Sequence, residues 1–159
     1  MRTRISTPGP ALASYDAVRD VLPSSDLHPV RWFDGRAAVL IAAMRYHEVS
    51  VRHADGTPDL LAPYGEVLIA ALVTRRPLQR GLPLLLPTMQ GLGGFVLDLP
   101  VTTAEACDLG RKLFGLPKFV ADMDFREEPT QRQVKISEGD AEIMTLRVCP
   151  RWLVFFAWR

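Results

Sequence analysis

Much that would mark a specialised protein class is missing from this chain. Only two cysteines, Cys107 and Cys149, occur in 159 residues. That is too few for a disulfide framework, and neither has metal-ligand spacing, so both read as reduced thiols packed as small hydrophobes. The three histidines, His28, His47 and His53, form no HxxxH or HExxH pattern, and His47-Glu48 reads as a solvated strand end. No metal site is expected. No GxGxxG or Walker A pattern is present, and Gly91-Leu92-Gly93-Gly94 reads as a turn. No run of about 20 apolar residues exists, so no segment reads as a membrane-spanning helix. Excess charge is absent too: 19 Lys and Arg against 18 Asp and Glu give a net +1. Such a balance offers no electrostatic ground for nucleic acid or an anionic membrane as partner. The basic start, Met1 to Pro8, lacks the apolar stretch of a signal peptide, and a cytoplasmic protein is expected.

What is present is apolar chain, 48% of the residues, laid out in short runs. A chain of this length suits one domain that buries roughly 68–70% of its unfolded surface. Residues 1–13 read as an N-terminal arm and 14–159 as a single domain. Ser14-Tyr15-Asp16 offers a cap for a short helix that Pro23 stops. Residues 36–51 and 66–74 read as strands with apolar residues on both faces, separated by turn chemistry at Asp55-Gly56-Thr57-Pro58-Asp59. Pro77, Pro83 and Pro87 make 75–90 an irregular connection, and 94–99 reads as a third strand.

Thr102-Thr103-Ala104-Glu105 has the form of a capping box in which the Thr102 hydroxyl accepts an amide N–H. It opens a longer helix with Ala106, Leu109 and Leu113 on one face, ended by Gly115 and Pro117. From Lys118 the period is two, with Phe119, Ala121, Met123 and Phe125 on one face and Lys118, Val120, Asp122 and Asp124 on the other. Strands at 131–137 and 141–148 flank a hairpin turn at Glu138-Gly139-Asp140, and 152–158 is a dense apolar final strand. The expected fold is α+β, mostly β, with one short and one longer helix. A closed or nearly closed β-barrel is expected, because closure removes unpaired edges.

Lys118 is the leading candidate for chemistry. Its backbone follows a helix end and Pro117, and its neighbours Leu113, Phe114, Leu116, Phe119 and Val120 are apolar. A lysine in water has a pKa near 10.4 and is almost wholly ammonium at neutral pH; lowering that value by about three units takes roughly 4 kcal/mol. Desolvation or a nearby cation supplies such a shift. The position equally suits a surface lysine beside a core strand, and period two does not tell which face looks inward. Glu66 reads either as a polar strand start or as an inward carboxylate sharing its face with Leu68, Ala70 and Leu72.

The stretch Val96-Leu97-Asp98-Leu99-Pro100, followed by Gly110-Arg111-Lys112-Leu113-Phe114-Gly115-Leu116-Pro117-Lys118, resembles the active-site segment of the acetoacetate decarboxylase superfamily. Residues 16–23 resemble that family's early helix, and Ala62-Pro63-Tyr64-Gly65-Glu66 its tyrosine-and-glutamate segment, so the likeness runs over about residues 15–126. The resemblance implies a Schiff-base nucleophile at Lys118 and a proton-shuttling carboxylate at Glu66. It names Tyr64, Arg111 and Phe119 as substrate-binding candidates, and implies a homo-oligomer with no external cofactor. Arg111 by itself reads as a helix-surface cation, or as a group that fixes the lysine segment or grips a carboxylate. The chain departs from the pattern in four places. Phe119 replaces a second lysine and is expected to turn away from the pocket, which leaves desolvation to activate the amine. Lys112 stands where a glutamate follows Gly-Arg, a second family glutamate falls near Leu40, and the chain is shorter than typical decarboxylases.

Three functions fit these residues. The first is a decarboxylase-like lyase that forms a Schiff base between Lys118 and a β-keto acid or related carbonyl compound. The second keeps the lysine for aldolase or dehydratase chemistry. The third is a non-catalytic barrel that binds a small ligand.

Overall fold

The computed structural model describes residues 2–52, 56, 58–77 and 91–148. In chain order the elements are β1 (Arg2–Ala13), α1 (Tyr15–Asp20), β2 (His28–Pro29), β3 (Ala37–Arg52), β4 (Pro58–Leu61), β5 (Tyr64–Thr74), β6 (Leu92–Val101), α2 (Ala104–Phe114), β7 (Lys118–Val120), β8 (Asp122–Glu127), β9 (Arg132–Glu138) and β10 (Ala141–Val148). The described chain is thus mostly β with two helices. One sheet runs β1-β3-β5-β6-β7, with β2 on β5 and β4 on β3; a second runs β10-β9-β8. The stretch read as an arm contains β1, and β6 begins at Leu92, inside the glycine-rich run read as a turn. The connection at 78–90, Cys149 and the apolar run at 152–158 lie outside the described residues. No helix among the described residues is long and apolar enough to cross a membrane.

The chain divides into two compact units, and β1, β3, β5 and β6 each contribute residues to both. In the unit comprising Gly9–Ile41 and Leu68–Asp98, the core is Val18, Leu22, Ala37, Val39, Ala71 and Val73, with Tyr15, Ile41, Ile69 and Phe95 packed against it. Ser14 caps α1 by accepting from the Ala17 amide at 3.4 Å, and Val18 is the helix's buried residue. Burial of the adjacent pairs Ala70-Ala71 and Val73-Thr74 is what a strand covered on both faces requires.

The other unit holds Met1–Pro8, Ala42–Val67 and Leu99–Arg159. Here β8, β9 and β10 form an antiparallel meander. Gly139 makes its β9–β10 turn at φ 56°, a conformation that costs glycine little. Strands β6 and β7 pair in parallel, with Leu99 opposite Lys118. Parallel neighbours need a crossover, and α2 provides it. Gly115 ends that helix in the left-handed region at φ 62°, the usual glycine stop.

Three expectations for this stretch need correction. The helix cap is Thr103, whose side chain accepts from the Ala106 amide at 3.4 Å, one residue later than the capping box placed it. The buried face of α2 is Ala106, Cys107 and Gly110, while Leu113 is 53% exposed. Small residues line it because a side chain from β7 lies directly against the helix. The period-two run also breaks: Lys118 is buried but Val120 is 47% exposed. At Ala121 the chain leaves β6 as its partner and takes up β9, so residues on either side of that point do not share a face.

Candidate functional site

Glu66 stands two residues into β5, and the start of that strand is fixed by Thr102. The Gly65 amide donates to Thr102 Oγ1 at 2.9 Å, and the Thr102 amide donates to the Gly65 carbonyl at 3.0 Å. A Cβ at position 65 would lie 2.8 Å from the Phe125 ring and 3.2 Å from the Thr102 methyl, so glycine alone permits this approach.

Lys118 is held just as closely. Its amide donates to the Leu116 carbonyl at 2.8 Å, and its carbonyl accepts from Arg111 Nε at 2.6 Å. Its aliphatic stem lies across α2 at Gly110, where an added Cβ would stand 2.5 Å from both Cδ and Cε. With the backbone clamped and the stem pressed on the helix, Lys118 Nζ reaches Glu66 Oε2 at 2.6 Å. The two residues are 7% and 6% exposed. Removing a carboxylate and an ammonium from water costs several kcal/mol per ion unless geometry and further hydrogen bonds offset it. Tyr46 supplies one such bond, its hydroxyl standing 3.4 Å from Glu66 Oε1.

Two tyrosines form the wall beside the pair. The Tyr46 and Tyr64 rings stack at 4.8 Å with planes 23° apart, and Lys118 Nζ lies 5.7 Å from the Tyr64 centroid. Burial first, then the charge of Glu66 and its hydrogen bond, push the Tyr46 hydroxyl up to about 12. Burial and the same charge raise Tyr64 as well, with Tyr46 adding to the effect. Both phenols therefore stay protonated at neutral pH. Both tyrosines also line a cleft of about 300 Å³, together with Arg45, His47, Met123 and Phe125 among others.

The fold thus brings Lys118, Glu66 and Tyr64 together. Arg111 spends its Nε on the lysine backbone, one of the roles its residue type allowed. Phe119 is half-buried on β7 opposite Pro100. Leu40 lies in the other unit. Three residues of this site are not marked as such by the sequence. The local pattern at Thr102 points to a helix cap instead. Gly110 carried a usable signal, since glycine inside a helix costs about 1 kcal/mol relative to alanine and so marks a close approach. Tyr46 sits in the middle of a sixteen-residue strand where nothing local sets it apart.

Comparison with known proteins gives a consistent picture. The acetoacetate decarboxylase family model matches residues 12–152. The crystal structure of acetoacetate decarboxylase from Legionella pneumophila is 15% identical, with a TM-score of 0.61 over 88% of this chain and 45% of that one. The enduracididine biosynthesis enzyme MppR, complexed with the condensation product of pyruvate and imidazole 4-carboxaldehyde, is 12% identical, with a TM-score of 0.59 over 92% and 53%. An acetoacetate decarboxylase-like enzyme from Sphingomonas wittichii is 13% identical, with a TM-score of 0.58 over 89% and 53%. The chain therefore shares their fold and spans about half the length of these structures. No match was found among curated proteins.

Proposed function

The chain belongs to the acetoacetate decarboxylase family, and from that premise we propose that it is a Schiff-base lyase acting on a β-keto acid or a related small carbonyl compound. The observation that carries the proposal is the buried Lys118–Glu66 pair at 2.6 Å. Glu66 takes a proton from the Lys118 ammonium, and the freed amine attacks the substrate carbonyl carbon to give a carbinolamine. Glu66 returns the proton to the departing hydroxyl, water leaves, and an iminium forms on Lys118. The iminium draws in the electron pair of the breaking carbon–carbon bond as carbon dioxide departs, leaving an enamine. Protonation of the enamine carbon and hydrolysis release the ketone and restore the amine. An enclosing barrel would keep water from the amine and disfavour the substrate carboxylate relative to neutral carbon dioxide. Tyr64 flanks the lysine as a substrate contact, and Arg111 holds its backbone. The scheme calls for no external cofactor; a cytoplasmic homo-oligomer completes it.

Borohydride reduction in the presence of acetoacetate or pyruvate tests the reading. A stable adduct is expected on Lys118 by peptide mass spectrometry, and none in the Lys118→Ala protein. Absence of an adduct with every ketone tried sinks the Schiff-base assignment.

A second reading retains the iminium and uses its enamine as the nucleophile of an aldol-type condensation. The observation favouring it is the fold shared with MppR, whose bound molecule is a condensation product of pyruvate. Carbon dioxide release from a β-keto acid separates the two.

A further inference from the structure

We propose that Tyr46 is the relay through which protons reach the buried Glu66 carboxylate from the neighbouring cleft. The inference rests on the Schiff-base reading and adds a residue and a route to it. Quenching the enamine left by carbon dioxide puts a proton on a substrate carbon, and an iminium of pyruvate reaches its enamine by giving one up, yet Glu66 and Lys118 are sealed from solvent at 6% and 7% exposure. Neither lines the cleft of about 300 Å³, whereas Tyr46 does. The Tyr46 hydroxyl has two acceptors in reach, Glu66 Oε1 at 3.4 Å and Met44 Sδ at 3.5 Å. Of these the carboxylate is the stronger, because charge-assisted hydrogen bonds outweigh those to a thioether. Glu66 Oε2 faces Lys118 Nζ. The carboxylate therefore presents one oxygen to the reacting lysine and the other to the group that touches the cleft.

The transfer balances without a phenolate intermediate. The hydroxyl proton of Tyr46 passes to Glu66 Oε1 as the phenol oxygen accepts a proton from a hydronium or buffer acid in the cleft. Tyr46 ends as it began, and Glu66 is left protonated to quench the enamine carbon. Run in reverse, the same line carries a substrate proton out. Because its ring stacks on Tyr64, the hydroxyl is held in place through both directions, and a phenylalanine there keeps the ring while removing the proton carrier.

Deuterium exchange into the methyl group of pyruvate in D2O, followed by NMR, reads this route, since exchange requires the enamine whether or not a carbon–carbon bond is later broken. Borohydride trapping of pyruvate on Lys118 is measured in parallel. In Tyr46→Phe the adduct should form at the wild-type yield while exchange slows by about 10²-fold, the lower range for a positioned proton donor. Exchange at the wild-type rate would overturn the relay. Joint loss of adduct and exchange would overturn it also, by showing that the tyrosine holds the site together. If the wild-type protein forms no adduct, the Schiff-base reading fails and the relay with it, and that result is distinct from the other two.

Discussion

Gly110 occupies an interior position of α2, where alanine is ordinarily the better helix former by about 1 kcal/mol. Here the missing methyl is what lets Lys118 lie flat on the helix. An alanine Cβ would meet Lys118 Cδ and Cε at 2.5 Å and Nζ at 3.1 Å. Those atoms are the free end of a flexible side chain, so the chain can fold by swinging the amine away from Glu66. In Gly110→Ala Glu66 is then left buried without its partner, a cost that outweighs the gain in helix propensity, so the melting temperature is expected to fall. Borohydride trapping on Lys118 should fall by about 10²-fold, the effect of displacing a reacting group by about an ångström. Thermal unfolding and adduct mass spectrometry on the same sample check both halves. A large loss of stability with trapping retained contradicts this account.

Among the elements, the junction between β6 and α2 does two jobs with two adjacent threonines. Thr103 caps the helix, while Thr102 binds the Gly65 amide at 2.9 Å and so sets where β5 begins relative to Glu66. Thr102→Val keeps the shape and strands that amide without its acceptor, a loss of about 1–3 kcal/mol. Urea unfolding should show the loss, with the far-UV helix signal of the folded protein unchanged because Thr103 still caps α2. Strands β3, β5, β9 and β10, both helices and the hairpin at Gly139 were legible in the sequence because capping residues, glycine stops and period-two alternation act over a few neighbours, whereas β1, read as an arm, was not. What stayed hidden depended on partners far along the chain. The cap was displaced by one residue because Thr102 is claimed by Gly65, and the strand at 118–125 breaks because Ala121 exchanges one sheet partner for another. The candidate lysine and glutamate were readable from a motif and its order. Tyr46 was not, since its meaning comes from a carboxylate twenty residues away.

At the scale of the whole molecule, the two tyrosines make stability depend on alkaline pH. The Tyr46 hydroxyl is raised from about 10 to about 12 on folding, and Tyr64 moves in the same direction. A raised value means the unfolded chain loses its proton first. The contribution is whole below about pH 10, then declines as pH climbs toward about 12, where the folded protein ionises too. Denaturant midpoints measured from pH 8 to 12 should fall above pH 10, and fall less steeply in Tyr46→Phe. Equal slopes in the two proteins would contradict the assignment. One further consequence lies in the order of assembly. Arg111 meets the Lys118 carbonyl across seven residues, whereas the Lys118 amine meets Glu66 across fifty-two. Closing the longer loop carries an extra entropy of about 2 kcal/mol. The nearer contact is thus the cheaper one to close, which favours setting the lysine backbone on its own helix ahead of its meeting with the carboxylate.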